Sequence, residues 1–167
     1  MVSVEDDLRI IAEQEEKLVL ERIDEDVAAG IGAYVRERGN AIGKGLVVAV
    51  YLWDRTLFYG ATAGSTGANE PWVKRKTQTV RLFHKSSYRV VLERGDKPRI
   101  IEPQWALGPE AYALAGGAFP IRIKGAGIVG TVAVSGLHER DDHEFARAAI
   151  AHSLGLGADA YALPPLG

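Results

Sequence analysis

Lys76 is the residue whose position most needs a chemical explanation. At about 100° per residue, Trp72, Val73, Lys76, Thr79, Val80, Phe83 and Ser87 fall on one apolar arc of a helix. Lys74, Gln78, Arg81 and Lys85 fall opposite. An ammonium at the centre of an apolar arc is costly to bury unless something pairs with it. Two readings stand side by side. The stem of Lys76 packs while its head snorkels or meets a core carboxylate. Alternatively, Lys76 and Thr79 floor a pocket for an anionic or carbonyl-bearing ligand. His84 sits at the edge of the arc, where it can hydrogen-bond structurally, shuttle protons or ligate haem iron. The paired glycines Gly116 and Gly117, ahead of Phe119 and Pro120, suggest a second wall with close backbone approach. Their exposed N–H groups could bind a ligand oxygen; a tight turn is the plainer account.

Other motifs fall away. Gly125, Gly127 and Gly130 match G-x-G-x-x-G, but a strand follows them where a dinucleotide site needs a helix. Asp141, Asp142, His143 and Glu144 could suggest a metal cluster, yet acids also suit a helix N-terminus. No second histidine sits one turn away, and no protein-bound metal is expected. With no cysteine, the chain has no disulfides, cysteine-ligated zinc or iron–sulfur cluster.

The elements that position these residues follow from periodicity and caps. Helices are expected over 4–22, over 25–38 behind Asp24, over 71–85 behind Asn69 and Pro71, over 87–94, over 109–115 and over 141–154. Strands are expected over 46–53 and 56–62, joined at Asp54 and Arg55, and over 119–124 and 128–135. Hairpins impose antiparallel pairing, so the class is α+β with helices layered on a mostly antiparallel sheet. The length of 167 residues fits one domain spanning 1–167. The net charge of −2 gives no overall pull toward nucleic acid or an anionic membrane. It conceals an acidic segment over 1–26 and a basic one over 72–99. These segments pair within or between subunits, stand solvated as separate faces, or present the basic one to an anionic ligand or nucleic acid. The acidic N-terminus and the lack of a long apolar run give cytoplasmic residence as the expectation.

Trp72, Lys76, Thr79, Phe83, Ser86 and Ser87 carry a resemblance, together with Gly116, Gly117, Phe119, Pro120 and Ile121. So do Gly127, Gly130, Ser135, Gly136, Leu137, Asp142 and His143. In this order they resemble the haem-degrading-domain superfamily, the GlcG/HbpS-like group, over nearly the whole chain. The resemblance implies a profilin-like three-layer α/β/α sandwich around a five-stranded, mostly antiparallel sheet. It implies self-association into dimers or higher oligomers, and haem or related tetrapyrrole binding in some members. Val80 departs from the simpler branch, which has alanine after the threonine, and branches of the group use different iron-contacting residues, so no axial ligand carries over. The leading expectation is a small-molecule-binding protein, with haem as the candidate cofactor. Its pocket would be formed by Trp72, Lys76, Thr79, Phe83, Ser86, Ser87, Gly116, Gly117 and Phe119. The alternative is an enzyme acting on a small carbonyl or carboxylate compound. It would use Lys76 as electrostatic stabiliser and His84 or His143 as acid–base group.

Overall fold

The computed structural model describes residues 2–166. Helix α1 (Val4–Lys17) is capped by Ser3, whose hydroxyl accepts from the Asp6 N–H. It ends earlier than periodicity predicts, because Val19 and Leu20 form a short strand β1 instead. Asp24 caps α2 (Glu25–Ala41) by accepting from the Val27 N–H at 2.8 Å. Strands β2 (Val47–Leu52) and β3 (Thr56–Ala61) make the expected hairpin. Helix α3 (Asn69–Phe83) and α4 (Ser87–Arg94) follow. Strands β4 (Ala118–Ile123) and β5 (Gly127–Ser135) form the second hairpin, and α5 (Glu139–Ser153) closes the order.

The sheet runs β1-β4-β5-β2-β3, antiparallel throughout except for the β1–β4 pair. Alternation along the strands divides two cores. Val48, Val50, Phe119, Ile121, Val132 and Val134 face α2 and α5. Val47, Ala49, Tyr51, Ala118 and Ala133 face Val73 and Val80 of α3. The result is an α/β/α sandwich, with α2 and α5 packed on one face of the sheet and α3 on the other.

Two sequence expectations are corrected. Asn69 does not cap α3 from outside: it is the first helical residue, and its side chain accepts from the Thr66 N–H at 2.8 Å. Residues 109–115 are not a helix. Their backbone is drawn into tertiary bonds, the Ala113 N–H donating to Arg75 O at 3.2 Å on α3. A 3₁₀ turn, Pro103–Trp105, lies earlier in the same loop. The acidic and basic segments meet at one strong point, where Arg89 pairs with Glu15 at 2.6 Å. Other basic side chains are taken by nearby acids, as where Glu70 holds Lys74 and Glu93 holds both Lys85 and Arg89.

Candidate functional site

The Lys76 side chain leaves α3 toward the sheet and is buried, with 3% exposure. Its ammonium donates to Val134 O at 2.9 Å and to Asp142 Oδ2 at 3.1 Å. Asp142 stands in the first turn of α5, and its second oxygen accepts from the Leu137 N–H at 2.9 Å. Burial pushes the Lys76 ammonium below the usual lysine range against the pull of Asp142. Burial likewise pushes the Asp142 carboxyl up to about 6, against Lys76 and the backbone N–H groups of Leu137 and Gly136. The pair is therefore a desolvated one, held by hydrogen bonds on both partners.

Gly117 makes room for it. Its φ of 133° lies in a region that L side chains rarely adopt. A Cβ there would stand 2.4 Å from Val134 O and 2.7 Å from the Lys76 ammonium nitrogen. The sequence singled out this glycine for close approach, and the neighbour it admits is the lysine.

Above the pair opens a cleft of about 330 Å³, lined by Asn69, Trp72, Lys76, Ser135, Glu139 and Asp142 among others. The volume lies within the range of small-molecule sites. Trp72 is 40% exposed, and the Arg75 guanidinium lies 4.2 Å from its ring centre. Glu139 is spoken for. It takes two bonds of 2.8 Å from Arg99 and one of 3.1 Å from the Gly116 N–H. Burial pulls its carboxyl up, but Arg99 and Gly116 more than offset that and leave it below the usual carboxylate range. Lysine carries three N–H donors, and the chain uses two of those on Lys76.

The structure brings Trp72 and Lys76 to the cleft, with Gly117 packed against the lysine and Gly116 held to Glu139 on the rim. It places the other candidates elsewhere. Thr79 is fully buried, and its hydroxyl donates to Ala113 O at 2.8 Å, tying down the loop before β4. Ser86 caps α4 by accepting from the Arg89 N–H at 3.3 Å. The Ser87 hydroxyl accepts from the Ala118 N–H at 3.0 Å. Phe83 packs toward Trp105, the ring centres 6.1 Å apart, and Phe119 lies in the core on the far face of the sheet.

Neither histidine expected to serve Lys76 is in place to do so. His84 ends α3 in the left-handed conformation at φ 57°, on the surface. His143 is wholly buried between Tyr88 and Phe119, and its Nε2 meets Gln14 Oε1 at 2.8 Å. Because the Gln14 amide nitrogen donates to Tyr161 O at 2.8 Å and to Glu144, Nε2 is the protonated position. Burial, with Arg147 and Arg140 nearby, pushes the imidazole down to about 3, so His143 is a neutral core residue. Sequence reasoning missed Asp142 as the partner of Lys76. The signal was present, since an apolar-arc lysine demands a carboxylate, but nothing local said which. Among the described residues, no group of three or more His, Asp or Glu is placed to hold a metal ion, and no helix is long and apolar enough to cross a membrane.

An α/β/α domain with an open cleft over a buried ion pair defines the class. The chain belongs to the haem degrading protein HbpS-like family, whose profile matches residues 23–151. It is 46% identical to a UPF0303 protein of Brucella anthropi over 154 residues, covering 92% of this chain and 91% of the relative. A UPF0303 protein of Brucella melitensis is 44% identical over the same length. The Ybr137w protein superposes with a TM-score of 0.80 at 24% identity, covering 92% of this chain and 90% of its own. A PduOC:heme complex superposes at 0.64 and 15%, covering 81% and 97%. Identities this low show a shared fold.

Proposed function

We propose that this protein binds a small molecule in the Trp72 cleft, and that a tetrapyrrole is the ligand class to test first. The observation that carries this reading is the ammonium of Lys76 in the floor of an open cleft. A cation there suits a carboxylate or carbonyl oxygen. The indole of Trp72 offers a planar apolar surface beside it. Membership of the HbpS-like family and the fold shared with a haem-bound protein supply the ligand class.

The donor set suits the ring and carboxylates of a tetrapyrrole rather than its iron. Trp72 would stack on the macrocycle, and Lys76 and Arg75 would meet its propionates. The two carboxylates of the cleft are already tied to Arg99, Lys76 and backbone N–H groups. No imidazole is among the residues that line it.

Titration with haemin should give a saturable Soret shift that weakens in Trp72→Ala. It should weaken roughly tenfold or more in the double variant Lys76→Met/Asp142→Leu, which removes a charged donor while leaving no orphan charge. Iron-free protoporphyrin, followed by its fluorescence, should show the same dependence on these residues. Absence of any shift at micromolar haemin, together with no protoporphyrin binding, would sink the tetrapyrrole reading.

A further inference from the structure

The opposite flank of α3 carries a second cleft of about 320 Å³, between the helix and the β2–β3 hairpin. Three cations line it, and they are not equivalent. Arg55 is held by Asp54 and Glu25, each at 3.0 Å. Lys74 is held by Glu70 at 2.9 Å. Arg81 meets no carboxylate among the described residues; its guanidinium lies 5.6 Å from the ring centre of Trp53. A cation over an indole face keeps its N–H donors free at the edge of the guanidinium plane.

The back of the cleft holds a second unspent donor. Tyr51 alternates with Val47 and Ala49 on the α3 face of β2 and is only 9% exposed. Its hydroxyl forms no hydrogen bond within the chain among the described residues. That hydroxyl is not sealed from solvent, and an unbonded O–H at the wall of an open cleft is available to an outside acceptor. Burial and the negative charge of Glu70 push this phenol up to about 12, so it remains a donor at neutral pH. Elsewhere in the wall the Thr77 and Thr131 hydroxyls bond each other at 2.7 Å and the Trp53 indole donates to Ile128 O at 3.2 Å, while the Gln78 amide and the Thr56 hydroxyl, also lining the cleft, form no bond among the described residues.

We infer that this cleft is a second binding site, for a small organic molecule bearing a carboxylate or phosphate. Its oxyanion is taken by the Arg81 guanidinium and the Tyr51 hydroxyl, and its planar body lies against Trp53. An oxyanion is the acceptor that satisfies both open donors together. The exposed Lys74 and Arg55 add no net positive potential, since Glu70 neutralises the first and Asp54 and Glu25 both face the second, so Arg81, with no carboxylate among the described residues, carries the recognition of charge.

The test is a titration of the full chain with phenyl phosphate, benzoate and inorganic phosphate, read at the Trp53 indole N–H by NMR. Saturable perturbation by phenyl phosphate or benzoate is expected, each arm identifying the oxyanion accepted. Affinity should fall roughly tenfold or more in Arg81→Gln, as for loss of a charged hydrogen bond, and severalfold in Tyr51→Phe. Trp72→Ala, in the other cleft, should leave it unchanged. The assignment is overturned if no probe perturbs Trp53, or if Arg81→Gln binds as well as the unaltered chain. Equal affinity for inorganic phosphate and phenyl phosphate overturns the stacking of an organic body.

Discussion

The two clefts share a wall, α3, and use charge in opposite ways. Beneath Trp72, the ammonium of Lys76 is buried and matched by Asp142, so most of its hydrogen-bonding capacity holds helix, sheet and α5 together. Beside Trp53, the guanidinium of Arg81 stands at the surface, where its only contact of note is with the indole face and no carboxylate pairs with it among the described residues. Charge removed from water must be satisfied by the fold itself, and becomes structural whether or not a ligand also uses it. Charge left at the rim costs the fold little and is free for recognition. Changes in the first cleft should therefore cost stability and binding together, and changes in the second should cost binding alone.

The largest effect should come from splitting the buried pair. Lys76→Met leaves a buried carboxylate without its cation, and destabilisation of about 3–5 kcal/mol is expected in urea unfolding. Adding Asp142→Leu should restore most of that loss. A double variant as unstable as the single one would show that the pair does more than neutralise itself. Next is Gly117→Ala, where the new methyl meets Val134 O and the lysine at a φ foreign to alanine; about 2–4 kcal/mol is expected. Thr79→Val should cost about 1–2 kcal/mol by leaving Ala113 O unpartnered, while leaving haemin affinity unchanged.

A pH effect separates the neighbours Asp142 and His143. Unfolded histidine titrates near 6.5, whereas folded His143 sits near 3. The unfolded chain therefore binds the extra proton first, and stability falls as the pH drops through that window, by up to about 1.4 kcal/mol per unit. Asp142 works the other way. Its raised value lets the folded state hold a proton between about 4 and 6, so its own contribution is lost as the pH rises. His143→Phe should flatten the acid limb of a plot of urea midpoint against pH. The smallest stability effects, within about 0.5 kcal/mol, are expected for Arg81→Gln, the surface change in the second cleft.

Local signals made much of this legible. Asp24 announces α2, the β-branched run at Val47–Val50 announces the central strand, and Ser86 announces α4. The inward lysine was visible from helical spacing alone. What periodicity could not supply was the far side of each contact. Thr79 lies on the same arc as Lys76, yet one meets a loop carbonyl and the other a cleft, a difference set by residues 113 and 142. Strand β1 was hidden for a similar reason. Val19 and Leu20 continue the helical pattern of α1, and only their pairing with Arg122 and Ile123 pulls them into the sheet. Residues 109–115 read as a helix after Pro109 because the bond from Ala113 to Arg75 has no sequence signature.

Lys76 and Asp142 are 66 positions apart. Their bond closes a long loop and is buried only once β4, β5 and the start of α5 have packed on α3, so a late contact is expected. Stripping water from the two charges falls at the end of assembly, so the pair acts as a late lock on the fold rather than as part of its nucleus. Replacing both residues with apolar ones should therefore leave the refolding rate close to that of the natural chain and place any change in the unfolding rate.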